Sequence, residues 1–567
     1  MVRGILARKT LLSLGLFLNS AFLAAATKPN LILVTIDSAC ADRMGFLGAK
    51  PGITPNLDRL ASASLVFEHA YAQAPGTVVS HATILSGAYP QATSMSEIGG
   101  SLPASLPYLP GLLKAQGYHT AAFVGSLQLD PRNGLAQGFD RGFQTYDAGF
   151  RPPIVGDAKP PVTTRSAALV VSSALAWITH NAQGPMFVWI HLNDPQTAAP
   201  LYNAAITATD TAIGKLLTAL KQQKLDVNTA VLVVADHGES LGAHGEDGHG
   251  IFLYDETIRV PLLLKLAEAQ PTAKRIAAKV RLVDIAPTLL EVAGIPVPSQ
   301  MQGQSLLRIA KASTSADQPV YSRSDLPSRG FGWSSLESWR AGKYLYVRAP
   351  KPELYDLTVD PGATRNLAQS SKATLDTLAG QLDNFDRRFS GDGGKSSSAQ
   401  LNSAEMQKLA SLGYVGLQKA SGSSAAATGT DPKDKIAVAT KVADAELSFD
   451  QGKGDRAIAA LTPLISSDPG LYLAEYTLGA AHAQKGQHAE AVKHLHKAIE
   501  LQPDSAWAHY RMGASLAKTG DFKTAAVHLE IAAERLPGFS PLHLALAEAY
   551  EKLGRAEDAK RERGLAK

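Results

Sequence analysis

The sequence predicts an α/β domain built on a mostly parallel sheet, followed by an all-α solenoid of repeated helix pairs. Short apolar segments rich in β-branched residues alternate with helical patterns in the N-terminal part, which indicates a sheet covered on both faces. The C-terminal part instead repeats with a fixed period, which is typical of a solenoid. A chain of 567 residues that is 45% hydrophobic and 19% charged is long enough for several globular domains.

Polar residues end two of the apolar segments and begin one of the helical patterns. One apolar run ends in Asp37, and another ends in Asp236 and His237. Thr77 begins a helical pattern that runs to Gly87. Open α/β sheets bind ligands at the carboxyl ends of their strands, so we expect these side chains to converge there. Thr77 could cap its helix, or it could serve as a nucleophile beside a metal.

The remaining segments continue the alternation of strands and helices. A Thr cap at Thr54 followed by Pro55 predicts the start of a helix. His191 and Asp194 stand at the end of a further predicted strand. Strands are predicted at residues 117–124, 185–191 and 260–265, helices at 206–223 and 282–292, and strands of a smaller subdomain at 343–357.

The first 26 residues have the features of a secretory signal peptide. Basic residues precede an apolar stretch at residues 11–23, and small alanines follow at the cleavage positions. An uncleaved N-terminal anchor is the alternative, although the stretch is short for a span of about 20 residues. No other segment predicts a membrane span. The only cysteine, Cys40, excludes an internal disulfide framework. Because of the signal peptide, we expect a periplasmic or secreted protein.

The net charge of +4 is small for this length, and no basic block is present. A nucleic-acid partner is therefore not expected. The partners to be sought are a small-molecule or envelope ester and a protein.

Three residue types recur every 34 residues near the C-terminus. A glycine, an alanine and a proline each follow this period: Gly452, Gly486, Gly520 and Gly554; Ala457, Ala491, Ala525 and Ala559; Pro469, Pro503 and Pro537. The pattern resembles tetratricopeptide repeats, which implies two antiparallel helices per unit, a glycine at the turn between them, and a curved stack with a concave groove. We expect a protein partner in that groove; the alternative is that the repeats only stabilise the rest of the chain.

These patterns divide the chain into four parts. They are a signal peptide at residues 1–26, a catalytic domain at 27–389, a linker with one short helix at 390–436, and the repeats at 437–567.

The catalytic region resembles the sulfatase family of the alkaline phosphatase superfamily over roughly residues 28–370. The resemblance rests on segments that occur in the family's order: residues 29–30 ahead of the strand that ends at Asp37, then 54–58, 80–87, 236–239, 283–289 and 353–357. It implies an alkaline-phosphatase-like α/β/α sandwich and hydrolysis of a sulfate or phosphate ester.

The nucleophile segment departs from the sulfatase pattern. Sulfatases that mature a formylglycine carry Cys or Ser, any residue, Pro, Ser and Arg, where this chain has Thr77, Val78, Val79, Ser80 and His81. Formylglycine is therefore not expected. Threonine is instead the nucleophile of related phosphodiesterases and of phosphoglycerol and phosphoethanolamine transferases, which also share an Asp-His dyad like Asp236-His237.

The resemblance assigns roles to the polar residues already noted. Asp37, Thr77, Asp236 and His237 are expected to bind one divalent cation, with Mn²⁺ or Zn²⁺ favoured over Ca²⁺ for a set of oxygens and one imidazole. The cation would activate the Thr77 hydroxyl. The candidates for contacting the anion or protonating the leaving group are His81, His244 and His249. The loop residues His191 and Asp194 are further candidates for substrate binding.

Three functions remain open from the sequence. The favoured function is an exported hydrolase that cleaves a phosphate or sulfate ester through Thr77, with a phosphodiester favoured. The second is a transferase that moves a phospho-group to an envelope acceptor. The third is a pseudoenzyme that works through its repeats, and it is suggested by the departures at Val79, His81 and Gln196.

Overall fold

The computed structural model describes residues 28–133, 135–150, 164–195, 201–267, 273–312, 318–389, 402–412, 414 and 429–566. The predicted signal peptide and Gln196 lie outside the described residues.

An eight-stranded mixed sheet forms the centre of the catalytic domain. Its strands stand in the order β12-β2-β11-β8-β1-β7-β5-β6, and within this sheet only β11 runs antiparallel to its neighbours. The strands are β1 (Asn30–Ile36), β2 (Leu65–Tyr71), β5 (His119–Val124), β6 (Thr145–Asp147), β7 (Met186–Leu192), β8 (Thr229–Ala235), β11 (Arg259–Lys265) and β12 (Lys274–Arg281). Two short hairpins lie outside it: β3 (Met95–Ser96) with β4 (Gly99–Gly100), and β9 (Ser240–Leu241) with β10 (Asp247–Gly248).

Two groups of mutually contacting helices cover the sheet and complete the predicted α/β/α sandwich. One group comprises α1 (Pro55–Ala61), α5 (Ala167–Asn181) and α6 (Tyr202–Gln222), and the other comprises α2 (Thr77–Ser86), α4 (Leu109–Ala115) and α8 (Ile285–Val292). Short helices fill the connections: α3 (Pro90–Thr93), α7 (Asp255–Ile258), α9 (Leu306–Lys311) and α10 (Leu326–Phe331).

A smaller antiparallel sheet follows, as predicted for the region around residues 343–357. Its strands are β13 (Val320–Ser324), β14 (Leu336–Ala341), β15 (Tyr344–Arg348) and β16 (Glu353–Asp356), in that order, and α11 (Lys372–Phe389) packs on it.

Strand β1 is central and buried along its whole length, which explains its continuous apolar sequence. It pairs with β8 on one side and with β7 on the other, so that Ile36 stands opposite both Ala235 and Leu192. The residues that follow β1 and β8 therefore meet at one edge of the sheet, as predicted.

Four helix pairs form the C-terminal solenoid. They are α13 (Ile436–Asp450) with α14 (Gly454–Ser467), α15 (Tyr472–Gln484) with α16 (His488–Leu501), α17 (Ala506–Thr519) with α18 (Phe522–Arg535), and α19 (Ser540–Lys552) with α20 (Ala556–Leu565). The periodic glycines sit in the turn inside each pair with φ between 74° and 90°, a conformation that other residues adopt at a cost. The periodic alanines are buried where the helices touch. Both features confirm the predicted repeat.

Linker helix α12 (Ser403–Ser411) docks on the solenoid. Its Glu405 pairs with Arg535 at the end of α18, and its Leu409 is buried in a cluster with residues of α16, α17 and α18. Ile98, from the turn between β3 and β4, packs against the same cluster. The solenoid is also tied to the catalytic domain by an ion pair of 2.8 Å between Arg329 and Asp504.

In the part of the chain that the structure describes, no helix combines the length and apolar character needed to cross a bilayer.

Candidate active site

Two buried carboxylates lie side by side at the ends of β1 and β8. The amide of Asp37 donates to the carbonyl of Leu192, and the amide of Asp236 donates to that of Ile36, which holds both residues in line with their strands. Ser38 adopts a left-handed conformation (φ 55°) and turns the chain so that its amide donates to Asp236 Oδ1 at 3.2 Å. These backbone hydrogen bonds therefore hold the two carboxylates next to each other at the carboxyl ends of β1 and β8.

Thr77 is the first residue of α2 and faces these carboxylates. Its Oγ1 lies 3.4 Å from Asp37 Oδ2 and 3.2 Å from His237 Nε2. Gly76 occupies the N-cap position, and the Thr77 hydroxyl makes no capping hydrogen bond. The interpretation of Thr77 as a helix cap is therefore wrong, because its side chain turns toward the acids. Thr54, unlike Thr77, does stand at an N-cap position, but its hydroxyl bonds Asp58 Oδ1 and the amide of Gly45 instead of capping the helix.

The hydrogen bonds of His237 determine which of its nitrogens carries hydrogen. Nδ1 lies 2.8 Å from the carbonyl of Gly238, which can only accept, so Nδ1 is the donor. Nε2 is then a lone pair, 3.5 Å from Asp37 Oδ1 and 3.7 Å from Asp236 Oδ1. Burial, together with the positive charge of nearby His249, lowers the pKa of His237 to about 3, so the ring is neutral.

The two buried acids oppose each other's ionisation. Burial and the charge of Asp37 raise the pKa of Asp236 well above its usual range. Asp236 Oδ2 is buried without a hydrogen-bond partner. Such an arrangement is costly without a cation.

These side chains fit a divalent cation. One atom each from Asp37, Asp236 and His237 lies within 4.8 Å of the others, and the Thr77 hydroxyl borders the same point. The donor set is oxygen-rich with one neutral imidazole, which suits Mn²⁺ or Zn²⁺. The structure thus brings together the four residues that the sequence assigned to a cation.

His249 adds a positive charge beside this point. Its ring centroid lies 4.3 Å from that of His237, and its Nδ1 donates to Glu239 Oε2 at 2.7 Å. Burial alone lowers the pKa of His249, but the Glu239 carboxylate outweighs it and raises that pKa to about 10. The Cys40 thiol forms hydrogen bonds with the backbone amide and carbonyl of Glu239, so Cys40 has a structural role. His244 instead stacks on Tyr254, with ring centroids 3.7 Å apart.

His81 lies behind Thr77. Its Nδ1 donates to the carbonyl of Thr77 at 2.8 Å, its Nε2 bonds Thr35 Oγ1 at 2.9 Å, and the ring is fully buried. With both nitrogens engaged, it does not reach the anion directly. The prediction that His81 contacts the anion or protonates the leaving group is therefore corrected. His81 instead positions Thr77 through its backbone carbonyl.

The two loop candidates separate. His191 lies on β7, with Nε2 3.4 Å from Asp37 Oδ2. Asp194 accepts from the amide of Ala167 at 2.8 Å, at the start of α5. Only His191 borders the two carboxylates, and a substrate contact for Asp194 stays a prediction.

Glu97 is a site residue that sequence reasoning missed. Its carboxyl group packs against the N-cap of α2 so closely that a Cβ on Gly76 would lie 2.3 Å from Oε1. Burial raises the pKa of Glu97 to about 7, although the charge of His249 opposes the shift. It belongs to a two-residue turn between very short strands, a pattern that carries no catalytic signal in sequence.

Family models match most of the chain in consecutive blocks. The model described as Sulfatase matches residues 29–295, and the model described as N-sulphoglucosamine sulphohydrolase, C-terminal, matches residues 245–387. Two tetratricopeptide-repeat models match residues 479–520 and 516–562.

Curated relatives are similar over the catalytic part. An ulvan-active sulfatase of Formosa agariphila is 27% identical over 412 residues, which cover 63% of this chain and 80% of the relative. An N-acetylgalactosamine-6-sulfatase of Homo sapiens is 27% identical over 423 residues, with 62% and 79% covered.

Solved structures share the fold. A 2-O GAG sulfatase superposes with a TM-score of 0.53 at 21% identity, covering 64% of this chain and 93% of that one. A phosphonate monoester hydrolase of Agrobacterium radiobacter gives a TM-score of 0.53 at 18% identity, with 64% and 96% covered. Members of this superfamily generally use a divalent metal. Residues 29–387 match the two sulfatase models and the C-terminal residues match repeat models, so the chain carries a sulfatase-like hydrolase domain of the alkaline phosphatase superfamily fused to tetratricopeptide repeats.

Proposed function

We propose that this protein is an exported, metal-dependent hydrolase that cleaves a phosphate or sulfate ester through Thr77, with a phosphodiester favoured. The observation that carries the proposal is the position of the Thr77 hydroxyl, at 3.4 Å from Asp37 and 3.2 Å from the neutral nitrogen of His237.

The chain's own residues support a double-displacement reaction. A divalent cation bound by Asp37, Thr77, Asp236 and His237 would lower the pKa of the Thr77 hydroxyl and offset charge on the ester oxygens. The Thr77 hydroxyl releases its proton to water, and its Oγ attacks phosphorus or sulfur while the bond to the leaving-group oxygen breaks. His249, charged through its contact with Glu239, donates a proton to that oxygen. Water then hydrolyses the Thr77 ester and regenerates the hydroxyl.

The charges at the site favour a substrate that carries one negative charge. Asp37 and Asp236 together balance a divalent cation, and the positive charge of His249 is balanced by Glu239. Glu97 adds a further acidic group beside the start of α2. A phosphodiester and a sulfate monoester each carry one charge, whereas a phosphate monoester carries up to two, so the latter is less well matched.

The test is hydrolysis of bis(p-nitrophenyl) phosphate and of p-nitrophenyl sulfate by the purified protein with Mn²⁺ or Zn²⁺. Thr77→Ala is the variant, and Thr211→Ala, on the exposed side of α6, is the matched control. We expect diester turnover that disappears in Thr77→Ala and persists in the control. Sulfate turnover alone would mean sulfatase chemistry without formylglycine.

Two other outcomes would redirect the proposal. Product that appears on an added alcohol rather than on water would identify a transferase. Absence of turnover and of bound metal would identify a pseudoenzyme. Whether the protein is a hydrolase or a transferase, we propose that it works in the periplasm or outside the cell. We also propose that the concave groove of the solenoid binds a protein partner.

A further inference from the structure

A buried hydrogen-bond chain runs behind the two carboxylates and joins β1 to β7. Thr35 Oγ1 lies at its centre, 3.0 Å from Trp189 Nε1, 2.9 Å from His81 Nε2 and 3.1 Å from His191 Nδ1. Thr35 and His191 are register partners on adjacent strands, and all these side chains are fully buried. Each hydrogen in this chain can therefore be assigned from its partners.

Two atoms of this chain can act only as hydrogen-bond donors. The indole nitrogen of Trp189 is a donor, and the Thr77 carbonyl requires Nδ1 of His81 to be a donor. Nε2 of a neutral His81 must then accept, and the Thr35 hydroxyl supplies that hydrogen. Thr35 has no second hydrogen, so Nδ1 of His191 must donate to it.

This assignment leaves Nε2 of His191 as a lone pair. That atom is buried, has no hydrogen-bond partner, and lies 3.4 Å from Asp37 Oδ2, which is itself an acceptor. Two acceptors that face each other in a buried site repel unless a cation lies between them. His237 Nε2 faces Asp37 Oδ1 in the same way from the other side.

We infer that His191 binds the cation directly through Nε2, and that Trp189 and Thr35 fix the ring for this purpose. The inference rests on the proposed function and extends its ligand set from one imidazole to two. His81 lies in the same cluster as His191 and Asp236, but both its nitrogens are engaged, so it is not a ligand. Two imidazoles favour Mn²⁺ or Zn²⁺ further over Ca²⁺.

The test counts the nitrogens bound to Mn²⁺ by electron spin-echo envelope modulation on the full-length, Mn²⁺-loaded protein. We expect two histidine nitrogens in the wild type and one in His191→Ala. The Mn²⁺ dissociation constant should rise at least about tenfold in His191→Ala, and by about tenfold in Thr35→Val, which removes the hydroxyl but retains the shape. His119→Ala, at the exposed start of β5, is the matched control and should change neither value.

The wild-type spectrum alone decides the matter if a variant does not fold. One bound nitrogen, with Mn²⁺ affinity unaffected by His191→Ala, would refute the assignment of His191 and leave the cation site of the proposed function intact. A wild-type protein that binds no Mn²⁺ and no Zn²⁺ would refute both.

Discussion

Buried histidines occur in both halves of the molecule, and their surroundings differ. In the solenoid, His509 and His543 occupy the same position of successive repeats, and Nε2 of each bonds the carbonyl of the proline six residues earlier, at 2.9 and 3.0 Å. Nδ1 of His543 bonds Glu562 at 2.8 Å. At the sheet edge, by contrast, Nε2 of His237 and Nε2 of His191 each face an oxygen of Asp37, which has no hydrogen to donate, and His191 Nε2 has no hydrogen-bond partner.

Buried histidines that only support the fold differ in their hydrogen bonds from buried histidines that bind a ligand. In the solenoid, a histidine whose two nitrogens both have hydrogen-bond partners satisfies a buried backbone carbonyl. Its recurrence with the 34-residue period indicates this structural role. Facing acceptors cost free energy in the folded protein, so they persist where a ligand compensates for them. Residue type alone does not distinguish these cases, because both regions combine buried histidine with buried carboxylate.

The largest effect should come from breaking the pair of facing acids. Asp37→Asn removes one ligand and should lower turnover by about 1,000-fold or more. The metal-free variant should be about as stable as the wild type, because asparagine keeps the shape of the side chain and removes the charge that opposes ionisation of Asp236. Activity assays and thermal melts of metal-free protein check this, with Asp376→Asn on the surface as control. A lower melting temperature in Asp37→Asn alone would show that the acids stabilise the fold.

The corresponding change in the solenoid should have the opposite outcome. His543→Ala removes the partners of the Pro537 carbonyl and of the buried Glu562 carboxylate. We expect a loss of about 2–4 kcal/mol in the free energy of unfolding, with turnover unchanged. Urea denaturation followed by circular dichroism measures the loss. A fall in turnover without a loss of stability would contradict the structural role.

Acid should weaken the solenoid through its buried histidine pair. His509 and His528 bond each other through Nδ1 at 2.9 Å, and burial lowers both pKa values, that of His509 to about 4. The unfolded chain therefore binds a proton to His509 between about pH 6.5 and 4, whereas the folded chain does not. Stability should fall with decreasing pH across this window, by about 1.4 kcal/mol per pH unit.

The measurement is urea denaturation at pH 7, 6 and 5. His509→Gln should flatten the pH dependence, and His482→Gln, at a half-buried position of α15, should leave it unchanged. An equal pH dependence in all three proteins would assign the effect to other groups.

The smallest effect is expected where the linker helix meets the solenoid. Lys408 pairs with Glu530 at 2.8 Å, but both side chains are partly exposed to water. Lys408→Ala should therefore change the free energy of unfolding by less than about 1 kcal/mol. Leu409→Ala serves as the contrasting variant, because that side chain is fully buried and its loss leaves a cavity. Equal losses in the two variants would argue against apolar docking of α12.

The fold could be predicted largely from the sequence, because apolar periodicity and the 34-residue repeat are local signals. The convergence of Asp37, Asp236 and Thr77 could also be predicted, since strand ends in a parallel sheet share one edge. The segment predicted as one helix over 282–292 is instead a 3-10 turn (Leu282–Asp284) followed by α8. Asp284, at the end of this turn, forms an ion pair with Arg281.

The parts of the site that escaped prediction depend on strand register and on packing. The contact of His191 with Thr35 follows from the pairing of β7 with β1, which the sequence does not encode locally. The engagement of both His81 nitrogens depends on Thr35 in the same way. Glu97 reaches α2 from a short turn whose position is set by its contacts with other parts of the protein.

The turn between β3 and β4 has a consequence for how this protein can be divided. Glu97 packs on the first turn of α2, while its neighbour Ile98 packs on the cluster formed by α12 and the solenoid. A chain cut at the linker would leave Ile98 in water and Arg329 without Asp504. Recombination that exchanged the repeats for others would have to preserve the surface that meets this turn. The catalytic domain and the repeats therefore depend on a shared interface, although their sequences resemble two separate modules.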